Sequence, residues 1–194
     1  NKDNYEELKI KFNRCKFVIQ KNQKGTADAI LSAKNKLNNK NILILFGDVP
    51  LITIKSIRKL ISNFYKNNSI GSMIAFKTLE PHGYGRVIVK GNYVTKVIEE
   101  LNASKLEKKI TLCNSGIMIC SSSLLYKNLK KISNKNVKKE KYLPDIFYIL
   151  NKINKNFTFV ISEESEMLGI NSIKSLIKIE KIFQSKILDK IIEK

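Results

Sequence analysis

The run "ILILFGDVPLI", Ile42 to Ile52, carries one charge in eleven residues, in a chain otherwise dense in lysine and asparagine. Its opening residues are apolar without alternation, the pattern of a strand covered on both faces, as in a parallel sheet. Such a strand needs helices on either side. Before it, "GTADAILSAKNKL" reads as a helix with Thr26 at the N-cap and apolar positions at Ala27, Ile30, Leu31 and Leu37. After it, "TIKSIRKLISNFY" reads as an amphipathic helix opened by Thr53, with Ile57, Leu60, Ile61 and Phe64 on one face. "KFVIQ" (Lys16–Gln20) and "SIGSMIAFKT" are further strand-like runs. Strand, helix, strand, helix, strand is the rhythm of an α/β domain with right-handed crossovers.

The pattern then changes. "GRVIVKGNYVTKVIEE" is two short β runs around Gly91-Asn92, a two-residue hairpin turn. "KITLCNSGIMIC" is a strand interrupted by Asn114-Ser115-Gly116. Helices are expected over Ser122 to Ile132, Leu143 to Ile153 and the C-terminal "SIKSLIKIEKIFQSKILDKIIEK", with a β-like "FTFVIS" between the last two. No internal repeat or Pro/Gly/Ser-rich linker divides the chain, so its 194 residues read as one domain.

The formal charge of +19 invites a nucleic-acid reading. The cations, however, are almost all lysines strewn among asparagines, and Arg14, Arg58 and Arg86 are the arginines. Without a dense basic block the reading is a solvated lysine surface, which still steers nucleotides and sugar phosphates inward. Cys15, Cys113 and Cys120 form no CxxC pair, and Cys113 and Cys120 lie in a strand-like run, so buried thiols in a reducing cytoplasm are expected there. The single histidine, His82, excludes sites needing two imidazole ligands. No apolar run approaches the roughly 20 residues of a membrane span, and no signal-peptide pattern opens the chain.

Asp48 follows a buried strand at its carboxyl end, where ligands collect in open α/β sheets. It could cap a helix, but Thr53 is better placed to do so. A lone carboxylate there suits a hard cation bridging to phosphate oxygens. Gly47 lets the backbone turn, and Pro50 prevents the strand continuing. In "QKNQKGT", Gln20 and Gln23 precede a Gly-Thr helix start; amides can read a base edge, and a helix N-terminus favours phosphate. Exposed glutamines would look the same. "HGYGRV" is either a hairpin entry or backbone approaching a ligand, and Asn114 inside an apolar strand calls for a ligand or a bulge.

Taken together and in order, "QKNQKGTADAI", "ILILFGDVPLI", "GYGRVIVKGNYVTKVIEELNAS", "CNSGIMIC", "YLPDIFYIL" and "LGINS" resemble one family. It is the uridyltransferase (pyrophosphorylase) domain of the bifunctional bacterial N-acetylglucosamine-1-phosphate uridyltransferase/glucosamine-1-phosphate acetyltransferases. The resemblance implies an α/β, Rossmann-like (GT-A-like) nucleotidyltransferase fold, a mixed sheet flanked by helices. Residues 1–78 would form a nucleotide-side half, 79–171 a sugar-binding half and 172–194 a C-terminal helix. It further implies synthesis of UDP-N-acetylglucosamine and pyrophosphate from UTP and N-acetylglucosamine 1-phosphate, in the cytoplasm, for peptidoglycan and lipopolysaccharide precursors. Another nucleotidyltransferase of the same fold, or a non-catalytic nucleotide-binding fragment, is the alternative.

Carried over by position, Gln20 and Gln23 match the glutamines beside the uracil, followed by Gly25 and Thr26. Asp48 and Asn171 match the Mg²⁺ ligands, with Phe46 and Gly47 leading into the first; Gly85, Glu99 and Asn114 match the residues that hold the sugar phosphate. No residue matches a catalytic nucleophile. Phe46 stands where tyrosine is usual, Pro144 where threonine is expected and Asp28 where many relatives have histidine. The family's first strand and glycine-rich triphosphate loop have no counterpart in "NKDNYEELKIKFN", so the chain is expected to begin partway through its domain. A homotrimer is expected only if a C-terminal β-helix domain follows; no nucleic-acid or membrane partner is implied.

Overall fold

The protein is described by a computed structural model covering residues 4–37 and 40–192. Residues 193–194, expected to close the last helix, lie outside the described residues. Among the described residues six strands build one sheet: β1 (Asn41–Ile44), β2 (Gly71–Lys77), β3 (Arg86–Lys90), β4 (Tyr93–Ile98), β5 (Leu112–Ser121) and β6 (Phe157–Ser162), in the order β1-β5-β2-β6-β4-β3. The helices are α1 (Tyr5–Lys11), α2 (Thr26–Ala33), α3 (Ile54–Lys66), α4 (Ser122–Leu129), α5 (Asp145–Asn151) and α6 (Ile173–Ile192).

β2 shows why both faces are covered. Met73 and Ala75 point into one apolar cluster with residues of α2, α4 and α5. Ile74 and Phe76 point into a second, with Leu60 and Phe64 of α3. Period-two alternation thus places hydrophobic side chains on opposite faces, and each face is covered by helices. At α3 the Thr53 hydroxyl accepts a hydrogen bond from Ser56 N–H, the expected cap. The Gly91-Asn92 turn joins β3 to β4 as expected, with Gly91 at φ 58°.

Several expectations are corrected. β1 pairs antiparallel with β5, not in a parallel ladder, and stands at one end of the described strand order. The long β5 inserts between β1 and β2, so these two, joined through α3, are not neighbours. The parallel pairing that does occur is β2 with β6. Lys16–Gln20 forms no strand, because β-type residues need a sheet edge to pair with. Gly25, not Thr26, is the N-cap of α2; the Thr26 hydroxyl instead accepts from Leu143 N–H at 2.9 Å. The helices expected over 122–132 and 143–153 are shorter, and the polar start holds α1, which the apolar pattern did not mark.

Cys113 and Cys120 are buried, and burial pushes their thiols up to about 11 and about 12, so they are packing groups. Cys15 is exposed. No helix among the described residues is long and apolar enough to cross a membrane.

Candidate active site

The site grows from an irregularity in β5. Between the Met73–Met118 and Ala75–Asn114 pairings β2 advances two residues and β5 four, so β5 bulges at Asn114-Ser115-Gly116. The bulge holds itself: Asn114 Oδ1 accepts from Gly116 N–H at 2.9 Å, and Ser115 Oγ donates to Ile74 O at 2.7 Å while accepting from Ile117 N–H at 3.1 Å. Asn114 N–H donates to Gly85 O at 2.8 Å, locking the bulge to the turn before β3. No hydrogen bond engages the Asn114 Nδ2 group among the described residues, which leaves it free to meet a ligand.

Facing the bulge are the loop after β1 and the segment before α6. Ile170 N–H donates to Asp48 O at 2.8 Å, bringing Asn171 beside Asp48 although they lie far apart in sequence. A Cβ at Gly169 would lie 3.5 Å from Asn171 Nδ2 and 3.9 Å from Asp48 O, so both residues crowd one glycine. The Asp48 carboxylate and the Asn171 amide are exposed, and no hydrogen bond occupies either among the described residues. This pair of free oxygen donors fits a small hard divalent cation of the kind that takes one or two protein oxygens and completes its shell with phosphate and water.

Two adjoining clefts result, the larger of about 370 Å³. Asp48, Gly85, Glu99 and Asn114 line the smaller. Thr26, Phe46, Glu99, Asn114 and Asn171 line the larger. Gln20, Gln23, Gly25 and Gly47 line neither. Gln20 Nε2 donates to Gly25 O at 3.1 Å and to Asp28 Oδ2 at 2.9 Å, so Asp28 orients that amide. Gly25 is held for packing: at φ 102° its Cβ would meet Lys141 O at 2.6 Å.

Sequence reasoning did not single out Tyr84, Gly169, Lys138 or Tyr142, which complete the walls. Tyr84 packs edge-on against Phe76, with centroids 4.9 Å apart, and burial raises the pKa of its hydroxyl while the Gly169 backbone opposes the shift. Tyr84, Gly169 and Tyr142 lie inside the stretches HGYGRV, LGINS and YLPDIFYIL without a role of their own there, whereas only position in space reveals Lys138.

The electrostatics run against the overall charge. Among the described residues the two clefts present three carboxylates, Asp48, Glu99 and Glu140, against one ammonium, Lys138. Burial raises the Glu99 pKa, Asp145 adds to that, and Lys138 opposes it. Burial likewise raises Asp145, against Lys96. An acidic cleft receives a polyphosphate only with a cation, in keeping with the donor pair above.

Residues 3–184 match the family model described as Nucleotidyl transferase. The chain belongs to the nucleotidyl transferase family. It is 42% identical over 188 residues to Bifunctional protein GlmU of Buchnera aphidicola subsp. Schizaphis graminum (strain Sg), covering 96% of this chain and 40% of that protein. To Bifunctional protein GlmU of Sinorhizobium fredii (strain NBRC 101917 / NGR234) it is 35% identical over 170 residues, covering 87% and 37%. The chain thus spans about two-fifths of the length of the curated relatives it matches. A solved UDP-glucose pyrophosphorylase complexed with UDP-glucose superposes with a TM-score of 0.71 at 15% identity, over 94% of this chain and 73% of that one. This nucleotidyl transferase therefore shares its mixed α/β fold with pyrophosphorylases.

Proposed function

We propose that this cleft joins a uridylyl group to N-acetylglucosamine 1-phosphate, giving UDP-N-acetylglucosamine and pyrophosphate. The observation that carries the reading is the convergence of Asp48, Glu99, Asn114 and Asn171, from four separate segments, on adjoining clefts of a nucleotidyl transferase. Similarity to proteins named GlmU supports it. A phosphate oxygen of the sugar phosphate attacks the α-phosphorus of UTP in line; the new P–O bond forms as the bond to the leaving pyrophosphate breaks. No enzyme nucleophile is required, so the chain's residues act by positioning and by charge.

Asn114 offers its free amide, and Glu99 its carboxylate, to the sugar. Asp48 and Asn171 would hold Mg²⁺, which when bound neutralises phosphate charge. Lys138 is the side-chain cation of the cleft available to an anionic substrate. Gln20, Gln23, Gly25, Thr26, Phe46 and Gly47 belong to the nucleotide side of the proposal, and Gly85 to the sugar side. The proposed nucleotide side (1–78) and sugar side (79–171) share one sheet, with β5 of the second between β1 and β2 of the first. A cytoplasmic place in cell-wall precursor synthesis follows from the same reading.

A coupled pyrophosphate-release assay across UTP, GTP and CTP with several sugar 1-phosphates tests it. Preference for UTP with N-acetylglucosamine 1-phosphate is expected. Preference for another base or sugar would assign the chain to a different member of the fold, with Pro144 the first residue to revert.

A further inference from the structure

We propose that Glu166 is a positioning residue that fixes the gap between Asp48 and Asn171, an inference that rests on the metal reading above. Glu166 is only 8% exposed, and its Oε2 accepts from both the N–H and the Oγ1 of Thr53, at 3.1 and 2.9 Å. Burying a carboxylate is costly unless it is well paired, and a neutral or apolar joint would serve packing alone as well. Its location gives it a task.

Thr53 closes the loop that begins at Asp48, and Glu166 opens the segment that ends at Asn171. The far end of the same two stretches is tied by Ile170 N–H to Asp48 O at 2.8 Å. Between the ties, Met167, 1% exposed, belongs to the same apolar cluster as Val49. Glu164 Oε1, two residues before Glu166, accepts from Thr78 Oγ1 at 2.8 Å and anchors the segment to the end of β2. The loops bearing Asp48 and Asn171 are thus clamped at both ends and packed in the middle. A small divalent ion tolerates little error in donor spacing. Releasing the Glu166 clamp frees the Asp48 loop to drift without emptying the core.

The test is a Mn²⁺ titration of the ¹⁵N-labelled full chain, following paramagnetic broadening of amides at 47–49 and 169–171, with thermal unfolding of each metal-free variant alongside. Wild type should show saturable local broadening and Asp48→Asn should lose it. Glu166→Ala, and Glu166→Asp with its carboxylate withdrawn by one methylene, should raise the Mn²⁺ midpoint about tenfold. Glu166→Gln, whose carbonyl oxygen can accept both Thr53 bonds, should titrate like wild type. If Glu166→Ala fails to fold, Glu166→Asp decides. Wild-type midpoints in the Ala and Asp variants, or a Gln variant as weak as Ala, would overturn the proposal while leaving the metal reading intact. Absence of local broadening in wild type itself would overturn both, a pattern distinct from the other two.

Discussion

The ring of Phe46 lies across the backbone of Gly116, so closely that a Cβ there would sit 2.6 Å from Cε2. Gly116 also holds φ at +81°, a region side chains disfavour. Strand end and bulge are therefore fitted to each other, and the bulge carries Asn114. Gly116→Ala should destabilise the fold by about 1–3 kcal/mol through overpacking and strain. Urea unfolding checks it. A change below about 0.5 kcal/mol would show that the ring moves aside freely.

Asn114 has two tasks that separate chemically. Its Oδ1 holds Gly116 N–H, and its Nδ2, on a residue that lines the cleft, makes no hydrogen bond among the described residues. Asn114→Asp keeps the acceptor and should retain most of the stability that Asn114→Ala loses, about 1 kcal/mol. Both should raise KM for the sugar phosphate about tenfold with little change for UTP. Steady-state kinetics with each substrate varied in turn gives the answer, and equal losses for both substrates would make Asn114 a fold residue.

Glu99 sets stability against function. Burial, with Asp145 beside it, raises its pKa above 4.5, so the folded chain binds this proton more tightly than the unfolded chain does. Its contribution is most favourable at low pH and is lost as pH rises from the ordinary carboxylate value through the raised one. Glu99→Gln should flatten that part of the stability–pH profile and stabilise the fold at neutral pH. It should weaken use of the sugar phosphate about tenfold. Glu100 runs the other way. The Gly83 N–H leads the groups that lower its pKa, with Arg86 and His82 adding, so its contribution is present above the ordinary value and lost as pH falls. Urea midpoints from pH 3 to 8, roughly the span in which carboxylates titrate, would separate the two.

The Asp48 carboxylate is exposed and makes no hydrogen bond among the described residues, and its backbone tie to Ile170 survives substitution, so the side chain can be changed without harming the fold. Asp48→Asn should leave the unfolding midpoint near wild type and lower turnover about 10²-fold or more. Full activity in this variant across a Mg²⁺ titration would remove Asp48 from the metal role.

What the sequence could reveal depended on distance along the chain. The Thr53 cap was legible because its partner, Ser56 N–H, is three residues away. The Thr26 hydroxyl was misassigned because its partner, Leu143 N–H, lies 117 residues on. The apolar run at 42–46 marked the buried Ile42 and Ile44, but it could not show that Leu45 would stand 48% exposed or that β5 would pair with the strand antiparallel. Asn114 declared itself as an amide in an apolar strand, with a bulge as one reading. Lys138 gave no signal, because only folding brings its loop to the cleft, and Tyr142 opened a recognised stretch without showing that it would line a wall.

The central claim is that the joined clefts hold the two halves of UDP-N-acetylglucosamine. Titrating that compound into the ¹⁵N-labelled chain with Mg²⁺ present tests it most directly. Saturable shifts should gather at Phe46, Asp48, Gly85, Glu99, Asn114 and Asn171 and vanish in Asp48→Asn/Asn114→Ala. No saturable binding, or shifts confined to the neighbouring hollow of Glu80, His82, Glu164 and Lys178, would contradict the account.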